Sequence, residues 1–215
     1  MGLFDKVRKG FSEMTGGVDS ELFQIGQPGR AVIVNVQMSG TTVQMGGGLV
    51  ERVCTFVIEV TLNDVPPYQA QVRQRVPEMW LAQIQPGATV VTARVHPQDR
   101  TRVALDFNAP PPTVRLASTG DPTSSAAWIL ANGTPGRAVI VQNQPLGMTN
   151  PEGVPMHAFV LTISPQEGMP YQIQVGNPVP PEALPLLYPG SKVPVKVAPG
   201  NPNAAVIDWA AALGD

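Results

Sequence analysis

The nine residues GQPGRAVIV from Gly26 return as GTPGRAVIV from Gly133, with eight positions identical and 107 residues between the two starts. Repetition on this scale constrains the architecture more than any other feature, because a self-similar chain folds as copies of one unit. The likeness continues beyond the first line. PYQAQV from Pro67 is answered by PYQIQV from Pro170, VP at Val76 by VP at Val179, and PG at Pro86 by PG at Pro189, each 103 residues on. ALDF at Ala104 is answered by VIDW at Val206, 102 residues on. Order and spacing survive small insertions, so the sequence reads as a duplicated domain, over roughly 26–107 and 133–209.

Each copy breaks into short apolar stretches of period two, separated by Gly and Pro. In the first copy these are Arg30–Val36, Val53–Leu62, Tyr68–Val76, Thr89–Val95 and Val103–Phe107. In the second, Arg137–Asn143, His157–Ile163, Lys192–Val197 and Ala205–Trp209 correspond to the first, second, fourth and fifth. A short turn or helix is expected at Pro77–Gln83 and at Pro181–Leu187. Gly 21 and Pro 24 together exceed a fifth of the 215 residues, which favours many turns and an all-β fold. Five short strands in about 80 residues are too few for a two-layer sandwich and most simply close into a small barrel. The fold expected is therefore mainly β: two tandem five-stranded β-barrels of OB-like or SH3-like type, each preceded by a short helix.

The helices come from DSELFQIG, with Asp19 or Ser20 as N-cap and Gly26 beyond the end, and from DPTSSAAWILANG, with Pro122 near the first turn and Gly133 beyond the end. The expected domains are an N-terminal helix at 1–18, a first barrel at 19–107, a proline-rich linker at 108–120, a second barrel at 121–209 and a tail at 210–215. The pattern G-x-P-G-R-A-x-x-V, then P-Y, then P-G with alternating valines, then Asp-aromatic, resembles a small β domain that recurs, often in pairs, in actinobacterial proteins. The resemblance covers about 160 residues and carries no catalytic motif. It implies the fold and a bacterial source, and no function.

Most chemistries are disfavoured. Cys54 is the single cysteine, so an intramolecular disulfide and a zinc site of four cysteines or of two cysteines and two histidines are excluded, and a reducing, cytoplasmic setting fits. His96 lies in a turn whose counterpart has no histidine, and His157, counted back from Ile163, falls where the first copy has Phe56. Neither a metal site nor a Cys–His nucleophile pair is expected, and Cys54 reads as a buried, inert thiol. No phosphate loop, no G-x-S-x-G and no paired carboxylates occur. The reading is not an enzyme, with no cofactor and no metal.

Charge is sparse at 14%, with a formal net charge of −2. The first copy has seven basic and six acidic residues, and Arg73, Arg75 and Arg94 form a candidate anion face that would serve a nucleic-acid-binding alternative. Aromatics do not interleave with these arginines, so nucleic acid is the weaker reading. Arg30 with Arg137 and Asp106 with Asp208 are charged in both copies, on first and last strands that closure would bring side by side. They read as a structural clasp, Arg30–Asp106 and Arg137–Asp208.

GLFDKVRKGFSEM differs in kind. At 100° per residue, Leu3, Phe4, Val7, Phe11 and Met14 fall in one arc, with Lys6, Arg8, Lys9 and Glu13 elsewhere. Such a docking helix can pack on its own domain, on a partner or second copy, or on a membrane surface. No 18-residue apolar run crosses a bilayer, so any membrane contact is peripheral, at the inner face. The function expected is a non-enzymatic binding or scaffold protein acting through tandem barrels and this helix, with a protein partner or self-association.

Overall fold

A computed structural model describes residues 19–44, 50–118, 125–165 and 168–214. The first repeat runs α1 (Ser20–Ile25), β1 (Gln27–Gln44), β2 (Val50–Thr61), β3 (Tyr68–Pro77), α2 (Glu78–Leu81), β4 (Val90–His96) and β5 (Asp99–Asp106). A two-residue strand, β6 (Val114–Arg115), follows. The second repeat runs α3 (Ala126–Asn132), β7 (Thr134–Thr149), β8 (Pro155–Pro165), β9 (Tyr171–Pro178), a 3₁₀ turn (Pro181–Leu186), β10 (Lys192–Val197), β11 (Ala205–Ile207) and α4 (Trp209–Leu213). The chain divides into two compact units, Met1–Val114 and Arg115–Asp215.

Each unit is built on one antiparallel sheet. The first has five strands in the order β3-β2-β1-β4-β5, and the second has six, five of which follow the same order, β9-β8-β7-β10-β11. Alternation sets the buried faces: Ala31 and Ile33 on β1 and Cys54, Phe56, Ile58 and Val60 on β2 are fully buried. Ala138, Ile140, Phe159, Leu161 and Ile163 do the same in the second unit. Each fully buried Val, Leu, Ile or Phe contributes roughly 1.5–3 kcal/mol. Both cores carry one aromatic pair between the second strand and the residue after the repeated Asp, Asp106 or Asp208: Phe56–Phe107 at 6.0 Å and Phe159–Trp209 at 6.2 Å between centroids.

The sheets are not the closed barrels expected. No backbone ladder joins β3 to β5, or β9 to β11, among the described residues. A buried side-chain amide takes that place. Gln74 Nε2–H donates to the Leu105 carbonyl (2.7 Å), and Leu105 N–H donates to Gln74 Oε1 (2.9 Å). In the second unit Asn177 Nδ2–H donates to the Ala205 carbonyl (3.2 Å), and Ile207 N–H donates to Asn177 Oδ1 (3.0 Å).

The repeated opening line is explained by close approach. A Cβ on Gly26 would stand 2.3 Å from the Leu22 carbonyl oxygen and 3.0 Å from Arg94 Cβ. On Gly133 it would stand 2.5 Å from the Ile129 carbonyl oxygen and 3.0 Å from Lys196 Cβ. Glycine lets each helix end directly against the fourth strand. Asp19 caps α1 by accepting the Glu21 N–H (3.2 Å), and Ser125 caps α3 by accepting the Trp128 N–H (3.2 Å). Helix α3 therefore starts at Ala126, later than the sequence suggested; Pro122 lies outside the described residues.

Further along the same strand the register slips at Val34 and at Val141, which bulge outward and stay 41% and 43% exposed. The PG turn secures each bulge. Gly87, at φ +80°, donates its N–H to the Ile33 carbonyl (2.8 Å), and Gly190, at φ +91°, donates to that of Ile140 (2.7 Å). Both first strands outrun expectation, to Gln44 and Thr149, while the last strand of the second unit stops at Ile207 because Asp208 caps α4.

Candidate functional site

The charged candidates part company. β4 lies between β1 and β5, and Thr92 stands opposite both Arg30 and Asp106. At about 4.8 Å per strand, that intervening residue holds the two backbone positions roughly 10 Å apart. The Arg30–Asp106 clasp is not formed among the described residues. Asp106 pairs with Arg94 Nη2 (3.4 Å) and accepts the Asn108 and Ala109 N–H groups (3.2 Å each). Arg30 forms no ion pair among the described residues, and burial pulls its pKa below the ordinary value. The Arg137–Asp208 clasp fails for another reason. Asp208 accepts the Ala211 N–H (3.1 Å) as the N-cap of α4, while Arg137 stands opposite Pro194 and Ser164.

Nor do Arg73, Arg75 and Arg94 make one face. Arg73 and Arg75 are on β3 and Arg94 is on β4, with β2 and β1 between them. Arg75 lies 3.8 Å from Glu51, and Arg94 is held by Asp106, so two of the three charges face carboxylates. Arg102 bridges Asp19 (2.7 Å) and Glu21 (2.8 Å), tying β5 to α1. The proposed docking residues Leu3, Phe4, Val7, Phe11 and Met14 lie outside the described residues.

Strand register corrects the place of His157. Ile163 pairs with Ala138 as Val60 pairs with Ala31, so Phe159 corresponds to Phe56 and His157 to Cys54. The histidine is 8% exposed, stacks on Phe159 (6.1 Å), and its Nδ1 lies 3.3 Å from Asn143 Oδ1. Burial lowers its pKa and keeps the ring neutral. Cys54 is fully buried, and desolvation pushes its thiol pKa up, against a smaller opposite effect of Arg52. The thiolate is disfavoured, and with it nucleophilic chemistry. Cys54 stands opposite Gln74, and His157 opposite Asn177, so both line the side-chain seams.

What the first unit does offer is a groove. Two adjoining hollows, of about 420 and 410 Å³, meet where Trp80 packs on Phe107 (6.5 Å between centroids). One runs between the end of α2 and the start of β4, over Ile84 and Val91, to a rim at Pro110 and Pro111. The other runs past Leu105 to Ser20 and Phe23 of α1. Phe23 is 38% exposed there. In the walls, Asp106 is engaged by Arg94 and Gln74 by Leu105, and Arg75 lies 3.8 Å from Glu51. Such a surface is suited in shape and lining to apolar and aromatic groups.

The second unit shows what fills the corresponding ground. There α4 follows the last strand directly and packs against the 3₁₀ turn and β10. Trp209 is buried, its indole N–H donates to the Pro178 carbonyl (2.7 Å), and Ala212 joins the core. In the first unit the chain leaves β5 differently. Thr92 Oγ1–H donates to the Ala109 and Pro110 carbonyls (3.0 and 2.9 Å), and Pro110–Pro112 cannot continue a helix. Among the described residues, no helix returns across the groove.

Sequence reasoning missed the seam amides and the groove. Gln74 sits among Tyr68, Ala70, Val72 and Val76 on one face, and Asn177 falls 103 residues on, so a polar side chain at an inward position in both repeats was the available signal. Among the described residues no group of three His, Cys, Asp or Glu side chains could hold a metal ion, and no helix is long and apolar enough to cross a membrane. In comparisons with known proteins, no family model, curated protein or solved structure matches the chain.

Proposed function

We propose that this chain is a non-enzymatic binding or scaffold protein, formed by tandem duplication of one small β domain, whose recognition surface is the aromatic groove of the first unit. Its ligand is a short helix with an apolar face on a protein partner. One observation carries this reading: the ground left open beside Trp80 and Phe107 is covered in the second unit by α4, a helix led by a buried tryptophan. The internal pairing of Arg75 and Arg94 speaks against the nucleic-acid alternative, because those charges already face Glu51 and Asp106. The apolar face of Leu3, Phe4, Val7, Phe11 and Met14 is the second docking element of the proposal.

The test is a titration followed by the indole N–H resonances of the three tryptophans. The probe is a peptide copying residues 207–214, added to the full chain and to a Phe4→Asp/Phe11→Asp variant. The Trp80 resonance and the Ile84 methyls should move, while Trp128 and Trp209 stay in place. A short single-stranded RNA should move none of them at physiological salt. A peptide that leaves Trp80 unmoved in both proteins at millimolar concentration overturns the reading.

A further inference from the structure

We propose that the first unit carries a second binding surface, the outer edge of β1 at Thr42–Gln44, which takes up an extended segment of a partner protein as an added strand. The segment it fits has apolar side chains two residues apart with a polar one between them. The second unit supplies the pattern. There β6 joins the sheet by pairing with β7, and the Leu116 N–H donates to the Thr149 carbonyl (2.8 Å). The covering segment reads Val114-Arg115-Leu116, which are buried, exposed and half-buried in turn. Thr149 stands opposite Pro155 of β8. Residues of an antiparallel strand turn their N–H and C=O to alternate sides, so Thr149 turns its pair away from β8 and towards the added strand.

Register carries the same attitude over to Thr42. It lies 107 residues before Thr149, the offset of the repeated opening line. It pairs with Arg52 directly after the matching register shift, Met38/Thr42 in one unit and Pro145/Thr149 in the other. Thr42 and, two residues on, Gln44 therefore turn N–H and C=O away from β2. β4 pairs with β1 only over Gln27–Val32, and among the described residues no strand lies along that side of Thr42–Gln44. Burial follows the cover: Gly147, Met148 and Thr149 are half-buried, whereas their counterparts Gly40, Thr41 and Thr42 are exposed. The edge is also chemically open. Gln37–Gln44 holds neither a charged residue nor a proline, the usual guards of an exposed edge, while β7 has Pro145 in the matching stretch. An added strand is held by main-chain bonds and selected through its alternate side chains.

The probe is a peptide copying residues 111–118, added at up to millimolar concentration to the isotope-labelled full chain. The Thr42 and Gln44 amide resonances should shift and their hydrogen exchange should slow, while the Trp80 indole N–H stays in place. N-methylation at the Leu116 position of the peptide removes the donor that faces the edge and should weaken binding about tenfold. At the Arg115 position, whose N–H faces the other way, it should change affinity by less than about threefold. Thr42→Pro removes an N–H that the β1–β2 ladder does not use and should abolish uptake. Where that variant disturbs the fold, the two N-methyl peptides decide alone. Equal binding of those two peptides, or no shift at Thr42 and Gln44, overturns the proposal. Shifts at Trp80 in their place send the peptide to the groove, so the edge falls and the groove stands. Thr42 and Gln44 amides already slow to exchange in the free chain overturn it too: faster exchange on dilution gives the edge to a second copy, and unchanged exchange gives it to the chain itself.

Discussion

Gln74 and Leu105 face each other across the seam that no ladder joins, and the Gln74 amide offers Leu105 both the N–H and the C=O that a neighbouring peptide group would have offered. Gln74 is 5% exposed and Leu105 1%, so water cannot substitute for either bond. Gln74→Leu would leave two buried backbone groups unmatched, each at about 1–3 kcal/mol. The expected loss is about 2–4 kcal/mol in urea unfolding, with faster hydrogen exchange at the Leu105 amide. Gln71→Leu, on the exposed side of the same strand, should stay within about 0.5 kcal/mol.

Gly26→Ala and Gly133→Ala should each destabilise by about 1–3 kcal/mol, because the added methyl meets a backbone carbonyl that cannot rotate away. Gly40→Ala has nothing within 4 Å to meet and should be neutral or slightly stabilising. Thermal melts would separate them, at roughly 4–8 °C per kcal/mol for a unit of this size.

Arg30 and Arg94 should respond in opposite directions. Arg94→Met removes the partner of Asp106, whose side chain is 10% exposed, and should cost about 1 kcal/mol. Arg30→Met removes a partly desolvated charge that forms no ion pair among the described residues and should be neutral or stabilising. A double-mutant cycle between Arg30 and Asp106 should give a coupling within about 0.5 kcal/mol of zero.

His157 makes the second unit sensitive to mild acid. Its folded pKa is depressed by burial, so between that value and the unfolded value near 6.5 the unfolded chain binds more protons. Stability is complete above about pH 6.5 and falls as the pH drops through the window below it. His157→Gln should flatten this slope in urea midpoints measured from about pH 7 to 5. An unchanged slope would mean that the ring takes up protons alike in the folded and the unfolded chain.

The faces of the strands were legible because alternation is local: Cys54, Phe56, Ile58 and Val60 announce one buried side without help from any other segment. Register was not. A pattern of period two looks the same after a slip of two, so His157 could be set against Phe56 when the ladders set it against Cys54. Closure was not legible either, since five strands can be counted while the means of joining their edges depends on one polar side chain, Gln74 or Asn177, hidden among apolar neighbours. Arg30 and Asp106 looked adjacent only on the assumption that first and last strands meet; the observed order puts β4 between them. The groove escaped because Trp80, Phe107 and Phe23 come from three separate elements with no common period.

The two seams are fastened differently. Gln74 engages both backbone groups of one residue, Leu105, whereas the shorter Asn177 spans the carbonyl of Ala205 and the N–H of Ile207. Neighbouring domains of similar sequence are prone to trading strands as they fold. Here an edge strand delivered to the wrong sheet would arrive with an amide of the wrong reach, and part of the fastening would go unmade. The two fastenings are therefore not interchangeable, one amide standing a methylene further from its strand than the other.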